Sequence, residues 1–123
     1  MGVLLKAHLY GAFVMTASNA VCGIWALYLW IKRRSTGAAF DIALKVAFAA
    51  VYLQVALGAY LFGRGLRPKD ATHVLYGITP AVAILVLFSS RTSLETRKAQ
   101  VYAIACLAFA GMGIRGILTG FGS

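Results

Sequence analysis

Acidic side chains are nearly missing from this chain: Asp41, Asp70 and Glu95 are all it has, against twelve Lys and Arg, for a formal charge of +9. All three lie at the ends of apolar runs, which removes the membrane-embedded carboxylate that a proton-coupled four-helix multidrug transporter needs. Cysteine is as scarce. Cys22 and Cys106 fall in the middle of apolar runs without CxxC or CxxCH spacing. A disulfide framework, a thiolate metal site and covalent c-type haem attachment therefore drop out, and the two thiols read as small packing groups. Histidine and proline each occur twice, so the position of every one of them is informative.

What the chain has in excess is apolar surface: 61% of its 123 residues are hydrophobic and 12% charged. A soluble domain of this length cannot hide that much. The apolar residues form four blocks, 7–31, 43–62, 71–89 and 99–118. Each, with its flanks, approaches the roughly 20 residues that cross about 30 Å of hydrocarbon as a helix. Short connections force neighbouring helices to run antiparallel. The expected fold is a single all-α domain over 1–123, an integral membrane bundle of four spans running up, down, up and down. The first block runs on through Trp30, too long for the apolar core of a cleaved signal, and reads as a retained span. Lys6 breaks the myristoylation pattern that Met1-Gly2 would open.

The basic residues sit singly or in threes at block ends, a placement suited to anionic lipid headgroups and not to nucleic acid. Lys32, Arg33, Arg34, Lys45, Arg91, Arg97 and Lys98 flank the first and third connections, against Lys6, Arg64, Arg67, Lys69 and Arg115 on the other side. That bias places both termini on the outer face of what is expected to be a bacterial or archaeal plasma membrane. Tyr10, Tyr60 and Tyr76 suit an aromatic belt at the outer interface, and Trp25, Tyr28 and Trp30 one at the inner. Three local expectations accompany this picture. Pro80 should free the carbonyl of Tyr76 and bend the third span. Gln54 needs a buried partner, for which Asn19 and Ser18 are candidates. Asp41 and Lys45, one turn apart, should pair.

His8 opens the first span and His73 the third, which puts both imidazoles at the same membrane face. Their surroundings echo each other, His8-Leu9-Tyr10-Gly11 and His73-Val74-Leu75-Tyr76-Gly77. Gly11 and Gly77 each lie one turn deeper on the stripe of their histidine, giving the clearance a planar macrocycle needs. Ala43, Ala47, Ala50, Gln54, Gly58 and Leu61 make a similar stripe on the second span, and Gly113, Gly116 and Gly120 on the fourth. Helix packing in lipid uses such stripes with no cofactor at all, and a histidine near an interface also bonds headgroups or water. Two neutral imidazoles from facing helices are equally the axial pair of a b-type haem, six-coordinate and suited to electron transfer.

The segment Gln54-Val55-Ala56-Leu57-Gly58-Ala59-Tyr60-Leu61, followed by His73, resembles the Gln-x-x-Leu-Gly helix and succeeding His helix of haem A synthases. Gly111-Met112-Gly113-Ile114-Arg115-Gly116-Ile117-Leu118-Thr119-Gly120-Phe121-Gly122 is similar to their Gly-rich, Arg-containing helix. The chain resembles one four-helix half of those enzymes in permuted order. The resemblance implies haem b near the outer face, with His8 and His73 as iron ligands. Gly11, Gly58 and Gly77 would lie against the ring, and Arg64, Arg67, Lys69 and Arg115 near the propionates. It does not carry the enzymatic role, because Leu4 stands where the catalytic half of the family has Glu, and the family's external cysteine pair is missing. The expectation leans to a haem-bearing electron carrier or respiratory-type subunit over an enzyme. Its partners would be the bilayer, a membrane-protein partner or second copy, and a redox partner, with no nucleic acid. The alternative is a haem-free accessory subunit packed in a larger membrane complex through its Gly and Ala faces.

Overall fold

The computed structural model describes residues 2–68 and 70–120. It folds as four α-helices, α1 (Gly2–Ile31), α2 (Ala38–Gly63), α3 (Thr72–Ser89) and α4 (Lys98–Gly120), the last led in by a 3₁₀ turn over Glu95–Arg97. No strand occurs among the described residues. All four helices are long and apolar enough to cross a membrane, so the chain is an all-α integral membrane four-helix bundle. Lys69 and the Phe121-Gly122 end of the Gly-rich motif lie outside the described residues.

Two helices outrun their apolar blocks by five residues at the start: α1 begins at Gly2, ahead of residue 7, and α2 at Ala38, ahead of residue 43. Hydropathy marks the thickness of hydrocarbon, whereas backbone hydrogen bonding continues into the interface. Helix ends are set by local chemistry. Gly65, at φ 96°, turns the chain after α2 while Leu66 N–H donates to the Leu61 carbonyl at 3.1 Å, a left-handed cap that glycine adopts without a Cβ penalty. Arg33 fills the same role after α1 at φ 54°. Before α3, the Asp70 carboxylate accepts from Thr72 N–H at 3.0 Å and from its hydroxyl at 2.9 Å. Asp70 N–H in turn donates to the Thr119 carbonyl at 3.0 Å. The start of α3 is thereby tied to the end of α4.

Each helix packs on its two neighbours, α1 and α3 both lying between α2 and α4, so α1 faces α3 across the bundle axis. The tightest packing joins α1, α2 and α4 in the half away from the termini. There Cys22, Ala26 and Leu29 meet Phe40, Leu44, Ala47, Tyr102, Ala103 and Cys106. Both cysteines are buried and free in this cluster. Gly23 brings α4 in: a Cβ there would stand 2.7 Å from Leu107 Cγ. α3 joins through a second cluster containing Ile84 with Met15, Val51 and Phe109, and Tyr52 holds it by donating to the Ala81 carbonyl at 2.7 Å. Only Pro80 and Ile84 of α3 are buried, one at its midpoint and one beyond it. The turns from Thr72 to Thr79 bury no residue. The helix therefore closes on the bundle at one end and stands off at the other, with Pro80 accommodated inside a continuous helix.

Two polar expectations are corrected. Asp41 pairs with Lys98 at 2.7 Å across α2 and α4, while Lys45 is exposed; the two elements meet at their first turns, and Lys98 faces the carboxylate directly. Gln54 donates to the His8 carbonyl at 2.8 Å. Ser18 instead bonds back within its own helix, to Met15. Asn19, fully buried, serves a deeper joint, donating to the Met15 carbonyl at 2.9 Å and the Ala47 carbonyl at 3.2 Å. Interhelical polar contacts in lipid are worth about 1–2 kcal/mol at most. Asn19→Ala should lower the unfolding free energy in bicelles by about that amount, and an unchanged value would show that the α1–α2 joint does not depend on the amide.

Candidate functional site

The two histidines meet where α3 stands off. Their ring centroids are 6.0 Å apart with planes inclined by 76°, each half-buried at the end of the bundle that holds Gly2 and Gly120. His73 is fixed from α4. Its Nδ1 lies 2.8 Å from the Gly116 carbonyl and 3.4 Å from Thr119 Oγ1. Since a carbonyl only accepts, Nδ1 carries a proton, and in the neutral ring the lone pair is on Nε2. The ring lies so close to α4 that a Cβ on Gly120 would come within 2.5 Å of Cε1. His8 is held differently. Its carbonyl is bound by Gln54, and its ring rests on Gly58, where a Cβ would stand 3.1 Å from Cε1. Its Nδ1 is enclosed with no hydrogen-bond partner among the described residues.

Beside the rings opens a cavity of about 350 Å³ lined by both histidines and by residues of all four helices. Its size falls within the range of roughly 300–1,000 Å³ typical of ligand pockets. Gly58 and Gly77 line it, and Gly77 is open, its nearest would-be neighbour being a Val55 methyl at 3.9 Å. Gly11 does not line the cavity; it leaves room for the Gln54 amide, whose Oε1 would collide with any Cβ there. Gly113 clears Thr16 in the same way.

The predicted basic residues separate. Arg67 lines the cavity at its rim with Leu66 and Pro68, its guanidinium 3.8 Å above the Phe62 ring and its Nη1 donating to the Phe62 carbonyl. Arg64 is exposed and caps α2. Arg115 is exposed on the outer side of α4, 5.9 Å above the Tyr76 ring. Neither Arg64 nor Arg115 lines the cavity. Sequence reasoning passed over Thr119, although it lies three residues after Gly116 on the stripe that faces His73. It also missed that Gln54 is a site residue, reaching His8 across α1 and α2.

Two imidazole nitrogens thus flank one apolar space. Among the described residues no group of three His, Cys, Asp or Glu side chains gathers to hold a metal ion. A bare ion here would have two protein ligands, short of the four that a closed structural site supplies. An ion that brings its own in-plane ligands needs only two. The molecule belongs, on this showing, to the class of membrane four-helix bundles with a paired-histidine cavity near one end. The chain matches no family model, no curated protein and no solved structure.

Proposed function

We propose that this chain holds one haem b between His8 and His73 and serves as an electron carrier or as the haem-bearing subunit of a respiratory-type complex. We place it in a bacterial or archaeal plasma membrane with both termini outside. The observation that carries the reading is the ring spacing. A histidine nitrogen sits about 2.0–2.1 Å from a bound metal such as zinc, so two rings meeting one ion end-on from opposite sides have centroids a little over about 6 Å apart; the 6.0 Å here is close to that spacing. The planes of such rings rotate freely about the shared axis, so their inclination is no obstacle. Haem iron asks the protein for two ligands at most, and among the described residues no group of three His, Cys, Asp or Glu side chains gathers.

The bound group would supply a one-electron ferric/ferrous couple. His8 and His73 would occupy both axial positions. The Gly116 carbonyl accepts from His73 Nδ1, which would leave Nε2 to hold the iron. Val51, Val55, Met112 and Ile117 line the cavity with apolar side chains, Gly58 makes room for the His8 ring, and Gly77 leaves open space. Arg67 places a cation at the rim for a propionate, already oriented by its stacking on Phe62. No carboxylate lines the cavity, which favours electron transfer over proton-requiring oxidation. Apolar side chains exposed along all four helices would meet lipid, a membrane-protein partner or a second copy.

The test is a dithionite-reduced minus oxidised difference spectrum of detergent-purified protein made under haem-replete conditions. A sharp low-spin b-type α-band at close to one haem per chain is expected. Well-folded protein without haem would overturn the reading in favour of an accessory subunit.

A further inference from the structure

The two histidines are held unequally, and the inequality has a chemical consequence. Resting on the haem reading above, we propose that His8 is the exchangeable axial ligand, and that the reduced site takes a neutral diatomic π-acceptor, of the class of carbon monoxide and nitric oxide, in its place.

A ligating imidazole binds through one nitrogen and carries its proton on the other, and an acceptor for that proton both orients the ring and strengthens it as a donor. His73 has such an acceptor in the Gly116 carbonyl at 2.8 Å, with Thr119 Oγ1 3.4 Å away. His8 has none: its Nδ1 is enclosed and without a partner among the described residues. Loss of that kind of outer contact typically costs a metal site about 10- to 100-fold in affinity. The nearest interhelical polar group, Gln54, binds the main-chain carbonyl of His8 and leaves its ring alone.

The backbone repeats the contrast. His73 N–H donates to the Asp70 carbonyl at 3.0 Å, and Asp70 N–H donates to the Thr119 carbonyl at 3.0 Å. The ligand, the turn before it and α4 therefore form one closed set of contacts. His8 stands in the second turn of α1, after a first turn in which Gly2, Val3, Leu5, Lys6 and Ala7 are all exposed. Residues 72–79 of α3 are not buried either, so the contrast lies in the Asp70–Thr119 bond that ties the turn before His73 to α4; a helix start without such a tie opens at low cost, and a released His8 ring has the interface beside it. Leu5 and Ala12, one turn to either side of His8, line the cavity and would leave an apolar gap suited to an uncharged diatomic and unsuited to an anion.

The exchange breaks one iron–nitrogen bond, the imidazole leaving neutral with its electron pair, and forms one bond from the carbon or nitrogen of the incoming ligand. No electron or proton changes hands. The ferrous state is required because back-donation to the diatomic needs its electrons.

Carbon monoxide titration of the dithionite-reduced protein tests this, with His8→Ala and His73→Ala in parallel. Wild type should pass from its low-spin spectrum to a carbonyl adduct identical to that of His8→Ala, which keeps the same His73 partner. His8→Ala should bind carbon monoxide about tenfold or more tightly, because no side chain competes for the position. A wild-type spectrum unmoved at saturating carbon monoxide overturns the proposal, as does an adduct matching His73→Ala and not His8→Ala. Should His73→Ala fail to fold, the comparison of wild type with His8→Ala decides alone. Absence of haem before any gas is added is a separate failure, that of the haem reading, and this proposal falls with it.

Discussion

His73→Ala is expected to abolish the low-spin spectrum and to lower haem affinity by about 100-fold or more, while His8→Ala abolishes the low-spin band but retains haem in high-spin form with a loss nearer tenfold. The difference follows from what each change removes. His73 is the member of the pair with an oriented donor nitrogen, fixed by the Gly116 carbonyl and by the Asp70–Thr119 tie. Its loss would take away both a proposed ligand and one of the contacts that join the free half of α3 to α4. His8 contributes a ring resting on Gly58 with its other nitrogen unpaired. The measurement is haem per chain after dilution into haem-free detergent, read with the difference spectrum and with circular dichroism to show that the helices persist. Equal losses in the two variants would remove the asymmetry while leaving the pair as ligands. Spectra unchanged in both would remove the pair.

The spans, their antiparallel order and the meeting of the two histidines were legible because they depend on quantities that a linear sequence carries: apolar length, connection length and parity of the spans. A residue at the start of the first span and one at the start of the third must share an end of the bundle. Rotation of each helix about its axis is not legible in that way. Arg115 sits among glycines in the sequence and looks inward, yet it faces out over Tyr76. Arg67, in a loop with no periodicity to read, lines the cavity. Gln54 and Asn19 are both buried amides that looked like partners for each other, but each bonds a main-chain carbonyl on the neighbouring helix. Asp41 had a cation one turn away in Lys45 and pairs with a more distant one, because helix–helix register decides which charges meet. The stand-off of α3 is in the same category. Its apolar side chains give no sign of which turns touch protein, and the distinction appears only once Pro80 and Ile84 are buried and the turns before them are not.

Substitution of the α4 glycines would separate the proposed cofactor role from general packing. Gly111 has nothing within 4 Å of where a Cβ would go, whereas Gly120 has the His73 ring at 2.5 Å from Cε1 and 2.7 Å from Nδ1. A methyl at position 120 must therefore push the ring away from α4. The ring cannot yield without loss, since the same movement breaks the 2.8 Å contact of Nδ1 with the Gly116 carbonyl. Overpacking of a close contact costs typically about 1–3 kcal/mol. Placed on the ligand side, that is a weakening of haem binding by roughly 5- to 150-fold. Gly120→Ala is accordingly expected to lower haem content sharply and to shift or broaden the reduced α-band, with helicity unchanged. Gly111→Ala should leave both as in wild type. If small residues on α4 served only to bring helices together, neither substitution would touch the spectrum, and Gly120→Ala would register instead as a loss of bundle stability at full haem occupancy.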